Sequence, residues 1–342
     1  MSETASQPAP GAGTAGPYDI AIVGGGPSGL FGCFYAGLRG MRAILFESLP
    51  ELGGQLTTLY PEKLVYDMPG FPQILARDLA AELVKQALRF NPDIRTNEQV
   101  QRLVKHGERD FELGTSKGTY RARSVLITAG VGAFQPKKLA LDLDHYEGRG
   151  LYYFVKNTEE FRGRRILIVG GGDSALDWAL HLEHVGSSVS LIHRRDQWRA
   201  HEDSVKKLLA STVKVRTFHE VKAVHGNGRV EAVTIFDNRT KAETTLEVDC
   251  LLLNLGFSAS LGPIKDWGLE LSGKAIKVDG HFQTSIPGVF AAGDIIEYPD
   301  RENINLIATG VADAAVAVNY AKAYVDPGSR VTPGHSSSRT DL

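Results

Sequence analysis

The sequence predicts an α/β protein with two parallel-sheet domains, the second inserted within the first. Three observations carry this. A short β-branched run, a glycine turn, a helical stretch and a second strand occur in that order from Tyr18, and again from Arg165. Each copy continues into polar turns between short strands that close on an apolar strand, Ile127-Thr128-Ala129-Gly130 in the first and Asn254-Leu255-Gly256 in the second. A further turn and apolar strand, 284–294, follows both copies and returns the chain to the first domain. The pattern reads as a long-range internal duplication, with a period too long for a solenoid.

Bulk properties agree. A chain of 342 residues exceeds one ordinary core, and 42% hydrophobic with 23% charged residues is a globular balance. A formal net charge of −2 offers no basic field for nucleic acid. No apolar run approaches the roughly 20 residues of a membrane helix. Residues 1–16 are Ala, Gly, Pro, Ser and Thr-rich without an apolar core, so a disordered tail is expected rather than a signal peptide, and the expected compartment is the cytoplasm. Two cysteines, Cys33 and Cys250, sit in apolar surroundings and read as buried thiols.

In the first copy, the strand Tyr18–Val23 leads into Gly24-Gly25-Gly26-Pro27-Ser28-Gly29, a helix to Arg39 and the strand Ala43–Phe46 ending at Glu47. Gly24, Gly26 and Gly29 form G-x-G-x-x-G: a tight turn, a close backbone approach to pyrophosphate, and close helix–strand packing, with the helix N-terminus facing the phosphates. Glu47 lies 18 residues past Gly29, near the spacing of a carboxylate on adenosine ribose hydroxyls. Leu52-Gly53-Gly54-Gln55 follows and suits the flavin side of a dinucleotide, though read alone it is a flexible turn. Asp294, ending the strand of 284–294, can accept from a ribitol hydroxyl, and a helix over 305–324 points its positive end to the same edge. These features predict FAD.

In the second copy, Arg165–Val169 leads into Gly170-Gly171-Gly172-Asp173-Ser174-Ala175, a helix to about Val185 and the strand Val189–Ile192. The copies align without a gap, so His193 stands where Glu47 stood, followed by Arg194, Arg195 and Arg199. A carboxylate there would repel the 2′-phosphate of NADP, whereas guanidinium groups fork onto it. The pattern predicts NADPH over NADH, with Gly170, Gly172, Asp173, Ser174, Ala175, His193, Arg194, Arg195 and Arg199 as its site.

These motifs resemble the thioredoxin-reductase-like flavoproteins from Tyr18 to the C-terminus. Thioredoxin reductases carry a redox Cys-x-x-Cys before the second glycine motif; here Leu151–Asn157 has no cysteine, so dithiol chemistry is excluded there. Leu59-Tyr60-Pro61-Glu62-Lys63, Gly132-Ala133-Phe134, Ser260–Lys265 and His335-Ser336-Ser337-Ser338 resemble one branch, the thioredoxin-reductase-like ferredoxin–NADP(+) reductases. That resemblance implies two Rossmann-like, three-layer ββα domains: FAD-binding over 17–130 and 257–327, NADPH-binding over 131–256, and a C-terminal extension, 328–342, covering the flavin. It implies that Tyr60 and His335 sandwich the flavin ring and that Gln55, Val100, Phe134 and the extension's Ser336 or Ser337 also contact FAD; Ser28, within the first glycine motif, is a further expected FAD contact. It implies a homodimer, and ferredoxin or flavodoxin is the expected partner. No catalytic acid, base, nucleophile or metal is expected; His201-Glu202 lacks the second His of a zinc helix. Arg42, Lys63, Lys137 and Lys138 are either a docking patch for an acidic ferredoxin or scattered solvated cations. Rival readings are an NADPH reductase of flavodoxin, quinones or a low-molecular-weight disulfide, for which Ser28 stands where a cysteine belongs, and a non-catalytic NADPH or redox sensor.

Overall fold

The computed structural model describes residues 16–130, 132, 135–258, 260–332 and 334. The chain divides into two compact units. Among the described residues, one takes in those of Met1–Gly54, Glu82–Gly130 and Leu261–Leu342, and the other those of Gln55–Ala81 and Val131–Ser260.

Each unit is built on a five-stranded parallel sheet of the same order. In the first, the strands run Val289–Ala291, Val125–Ile127, Ile20–Val23, Ala43–Phe46, Asp93–Arg95. In the second they run Leu151–Tyr152, Cys250–Leu253, Arg165–Val169, Ser188–His193, Lys214–Thr217. Strands buried on both faces read as continuous apolar runs, as IAIV and CLLL do. Successive residues point to opposite faces. Thus Ile166 and Ile168 pack with Leu176, Ala179 and Leu182 of the helix Asp173–Leu182, while Leu167 and Val169 pack with Val233 and Ile235 on the other side. In the first unit, Val23, Phe46 and Ile127 meet Leu103, Phe111 and Leu113 on that second side. The layers are helix, parallel sheet and antiparallel meander, which is the expected α/β class.

The meanders begin earlier than the sequence suggests. Their first strands are Val100–Gly107 and His219–His225, ahead of the residues near 111 and 230 where the polar turns are legible. Val100–Gly107 (VQRLVKHG) exposes most of its side chains, so its apolar alternation is broken. The segment 55–81 also differs from the sequence reading, which kept 17–130 together. It groups with the second unit, where Lys63 Nζ meets Asp177 Oδ2 at 2.8 Å. The helix expected over 305–324 spans Ile307–Val325. Among the described residues, no helix is long and apolar enough to cross a membrane.

The third glycine of the first loop fixes how closely helix Pro27–Leu38 approaches its strand. A Cβ at Gly29 would lie 1.9 Å from the Gly24 carbonyl oxygen and 2.7 Å from Thr128 Oγ1. Gly29→Ala is therefore expected to lower stability by about 1–3 kcal/mol, read as a fall in the urea midpoint.

Strand Arg165–Val169 is pinned at its start. Arg165 donates to both oxygens of Asp249, from Nε at 3.0 Å and Nη2 at 2.7 Å, and this bidentate pair holds the Asp249 carboxyl down at about 2. An unfolded Asp titrates near ~3.9, so the contribution is full above that pH and is lost as pH falls through about 2. Both side chains keep about a third of their surface, which limits it to under about 1 kcal/mol. Asp249→Asn should lower the urea midpoint slightly at pH 7, with the gap to wild type narrowing from pH 4 downward.

Candidate functional site

The C-terminal edge of each parallel sheet carries a glycine loop. In the first, Gly24 takes φ +113°, and a Cβ there would meet the Thr128 carbonyl oxygen at 2.5 Å. Gly26 is the N-cap of helix Pro27–Leu38; its side-chain position meets nothing nearer than Gly54 Cα at 4.0 Å, and no side chain caps the helix. The first turn of N–H groups thus keeps its donors uncommitted to any capping side chain, behind a gap a larger residue would fill.

Glu47 is buried at the end of its strand. Its Oε2 accepts from the Gly25 N–H at 2.7 Å, and its Oε1 accepts from the Leu49 N–H at 2.8 Å and the Ser48 hydroxyl at 3.1 Å. The carboxylate braces the glycine loop and retains lone pairs for further donors. Asp294 is half-buried just past strand Val289–Ala291, at the same edge. Ser28 turns its hydroxyl toward the following turn: a Cβ at Gly293 or Gly310 would lie 2.7 or 2.4 Å from Ser28 Oγ.

Sequence reasoning missed what holds the turn at Gly293. Asp313 is buried in helix Ile307–Val325, accepts from Tyr298 Oη at 2.6 Å and accepts from the Gly293 N–H. Burial raises its carboxyl, although the hydrogen bonds and the Arg301 charge oppose this. The available signal was a single acid in a largely apolar helix, IATGVADAAVAVNYAKAYV.

The second loop repeats the first with different chemistry. A Cβ at Gly170 would lie 2.5 Å from the Asn254 carbonyl oxygen, whereas one at Gly172 would meet nothing within 4 Å. Gly172 caps helix Asp173–Leu182 without a side-chain bond. Ala175 is buried and Ser174 exposed. The Asp173 carboxylate accepts from the His201 N–H at 2.8 Å, which ties the helix start to the next loop. The His193 ring lies on the loop itself: a Cβ at Gly171 would fall 2.3 Å from it. It stacks on Trp198 with centroids 5.2 Å apart and donates from Nε2 to the Gln197 carbonyl at 3.1 Å. Burial, with Arg194, Arg195 and Arg199 nearby, lowers its pKa, so the neutral ring is favoured. The Arg199 N–H donates to the Gly171 carbonyl at 2.8 Å, and Asn238 Nδ2 donates to the Arg194 carbonyl at 2.9 Å. The arginine loop is held by its backbone, and all three arginines are exposed with no carboxylate pairing among the described residues.

The other expected positions are less uniform. Gln55 opens the short helix Gln55–Thr58, and half-buried Tyr60 follows, its carbonyl accepting from the Lys63 N–H at 3.0 Å. The Val100 side chain is buried in the first unit's core, so contact with a ligand would fall to its backbone. Phe134, His335, Ser336 and Ser337, like the first 15 residues, lie outside the described residues. The expected docking cations are largely engaged: Lys63 pairs with Asp177, Lys138 with Asp144 at 2.6 Å, and Arg42 covers the Tyr18 ring at 4.1 Å.

A family profile described as pyridine nucleotide-disulphide oxidoreductase matches residues 18–319. The chain belongs to that family. A ferredoxin–NADP reductase of Symbiobacterium thermophilum is 50% identical over 333 residues, 96% of this chain and 98% of the relative. Ferredoxin–NADP reductase 1 of Sulfolobus acidocaldarius is 50% identical over 93% of this chain and 98% of its own length. Among solved structures, a thioredoxin reductase of T. acidophilum is similar at TM-score 0.76 and 27% identity, covering 92% of this chain and 99% of its own. The resemblance drawn from the motifs is therefore borne out.

In this member of the family the cysteines form no redox pair. Cys33 and Cys250 are both free and buried, and burial pushes the thiols up to about 12 and about 11. Cys33→Ser/Cys250→Ser is expected to keep NADPH oxidation within about twofold of wild type, and native protein should resist thiol reagents until urea is added.

Proposed function

We propose that this chain is an FAD-dependent ferredoxin–NADP reductase. The observation that carries the reading is the contrast between the two loops: one braced by a carboxylate, the other flanked by three arginines with no carboxylate partner among the described residues, and no dithiol. The residues fit a dinucleotide at each, because each glycine opening stands before an uncapped helix N-terminus.

In this reading Gly24, Gly26 and Gly29 admit the FAD pyrophosphate to the N–H groups of helix Pro27–Leu38, with Ser28 fitted behind them. Glu47 accepts from the adenosine ribose while bracing Gly25, and Asp294 accepts from the ribitol. Gln55, Val100 and Phe134 line the flavin side; Tyr60 and His335 cover its faces, aided by Ser336 and Ser337. Gly170, Gly172 and Ala175 admit the NADPH pyrophosphate to helix Asp173–Leu182, whose first turn Asp173 and Ser174 complete. Arg194, Arg195 and Arg199 take the 2′-phosphate, and His193 keeps their loop on Gly171. The chemistry FAD supplies when bound is the exchange of a nicotinamide hydride for single electrons, which suits an iron–sulfur acceptor.

Residues 17–130 and 257–327 serve FAD, although 55–81 packs with the second unit; 131–256 serve NADPH, and 328–342 are the extension over the flavin. The enzyme works as a cytoplasmic homodimer with ferredoxin, or flavodoxin, as its protein partner.

Cytochrome c reduction with NADPH should depend on added ferredoxin. Turnover of a low-molecular-weight disulfide without any ferredoxin response would overturn the assignment. Arg194→Ala/Arg195→Ala should raise the KM for NADPH by about 10- to 100-fold and leave that for NADH nearly unchanged, measured with ferricyanide as acceptor.

A further inference from the structure

Two buried side-chain polar atoms lack a hydrogen-bond partner among the described residues, Arg95 Nε and Asn254 Oδ1. The first belongs to a guanidinium that already pairs with Asp93 at 2.9 Å. The second is an amide oxygen beside the second glycine loop, and a buried acceptor without a donor is a net penalty to the fold.

The position is firmly set. Asn254 follows strand Cys250–Leu253; its N–H donates to the Val169 carbonyl at 2.8 Å, and its own carbonyl abuts Gly170. The duplication supplies a control within the same chain. Thr128 stands at the matching place in the first unit, and its hydroxyl turns back onto the Gly24 carbonyl at 3.0 Å. Thr128 is satisfied locally, whereas Asn254 leaves its acceptor without a local donor.

Sheet order says which part of a ligand passes there. Strand Cys250–Leu253 flanks Arg165–Val169 on one side, and Ser188–His193, with the arginine loop after it, flanks it on the other. A dinucleotide lying across the crevice with its 2′-phosphate at the arginines extends its opposite half past Asn254. We infer that Asn254 is a binding residue for the nicotinamide half of NADPH, its side chain turning the shielded Oδ1 toward the ligand to accept from a ribose hydroxyl or the carboxamide amino group. This rests on the NADPH reading of the second loop.

The test compares two ligands on the FAD-loaded enzyme by calorimetry: NADP+ and adenosine 2′,5′-bisphosphate, which lacks the nicotinamide half. Asn254→Thr copies Thr128 and gives the side chain a local partner. It should weaken NADP+ binding about tenfold, leave the bisphosphate unchanged and keep the ligand-free Tm at or above that of wild type. Asn254→Ala should show the same ligand pattern. Equal losses for both ligands, or unchanged NADP+ affinity, would overturn the inference. A wild-type enzyme that binds neither ligand would instead refute the NADPH reading itself.

Discussion

The exposed positive end of a helix, reached through a gap where a side chain is missing, is the constraint on which both halves of this protein depend. A helix N-terminus leaves backbone N–H groups without internal partners, and most helices cover them with a Ser, Thr, Asp or Asn. Here the caps are Gly26 and Gly172, and neither helix has a side-chain cap bond. Such donors suit an anion that can come close, and the missing Cβ atoms allow that approach. The flanking glycines serve the same end, since Gly29 and Gly170 have no room for even a methyl group.

Duplicating this device gives two similar sites, and the divergence between them is electrostatic. Glu47 puts a buried carboxylate at the end of the second strand of its sheet and holds Gly25 with it. At the matching place His193 braces its loop by packing, with a ring over Gly171, and adds no negative charge to the loop of arginines. Both residues support the glycine loop. Only one would repel a second phosphate. The buried, weakly acidic thiols remove the sulfur relay that the family name suggests, so electron exit depends on the flavin site alone.

Much of this was legible in the chain because it is local. The loops, the strand that precedes each and the helix that follows occupy about 20 consecutive residues, so spacing alone reveals them. The arginines were legible because the duplication supplies a register. What escaped depends on residues far apart in sequence. Asp313 supports Gly293, and Asn254 sits against Gly170, through contacts that composition does not encode. His193 was read as a ligand contact, and its packing on Gly171 and Trp198 appears only in three dimensions. The first meander strands were hidden because their exposed faces carry charges that break the apolar alternation.

The most direct measurement is anaerobic titration of flavin-stripped protein with FAD and then NADPH, followed by visible absorbance. The account predicts uptake of one FAD per chain and bleaching of its absorbance by a single equivalent of NADPH. Protein that stays colourless in excess FAD, or that binds it and is bleached no better by NADPH than by NADH, would contradict it.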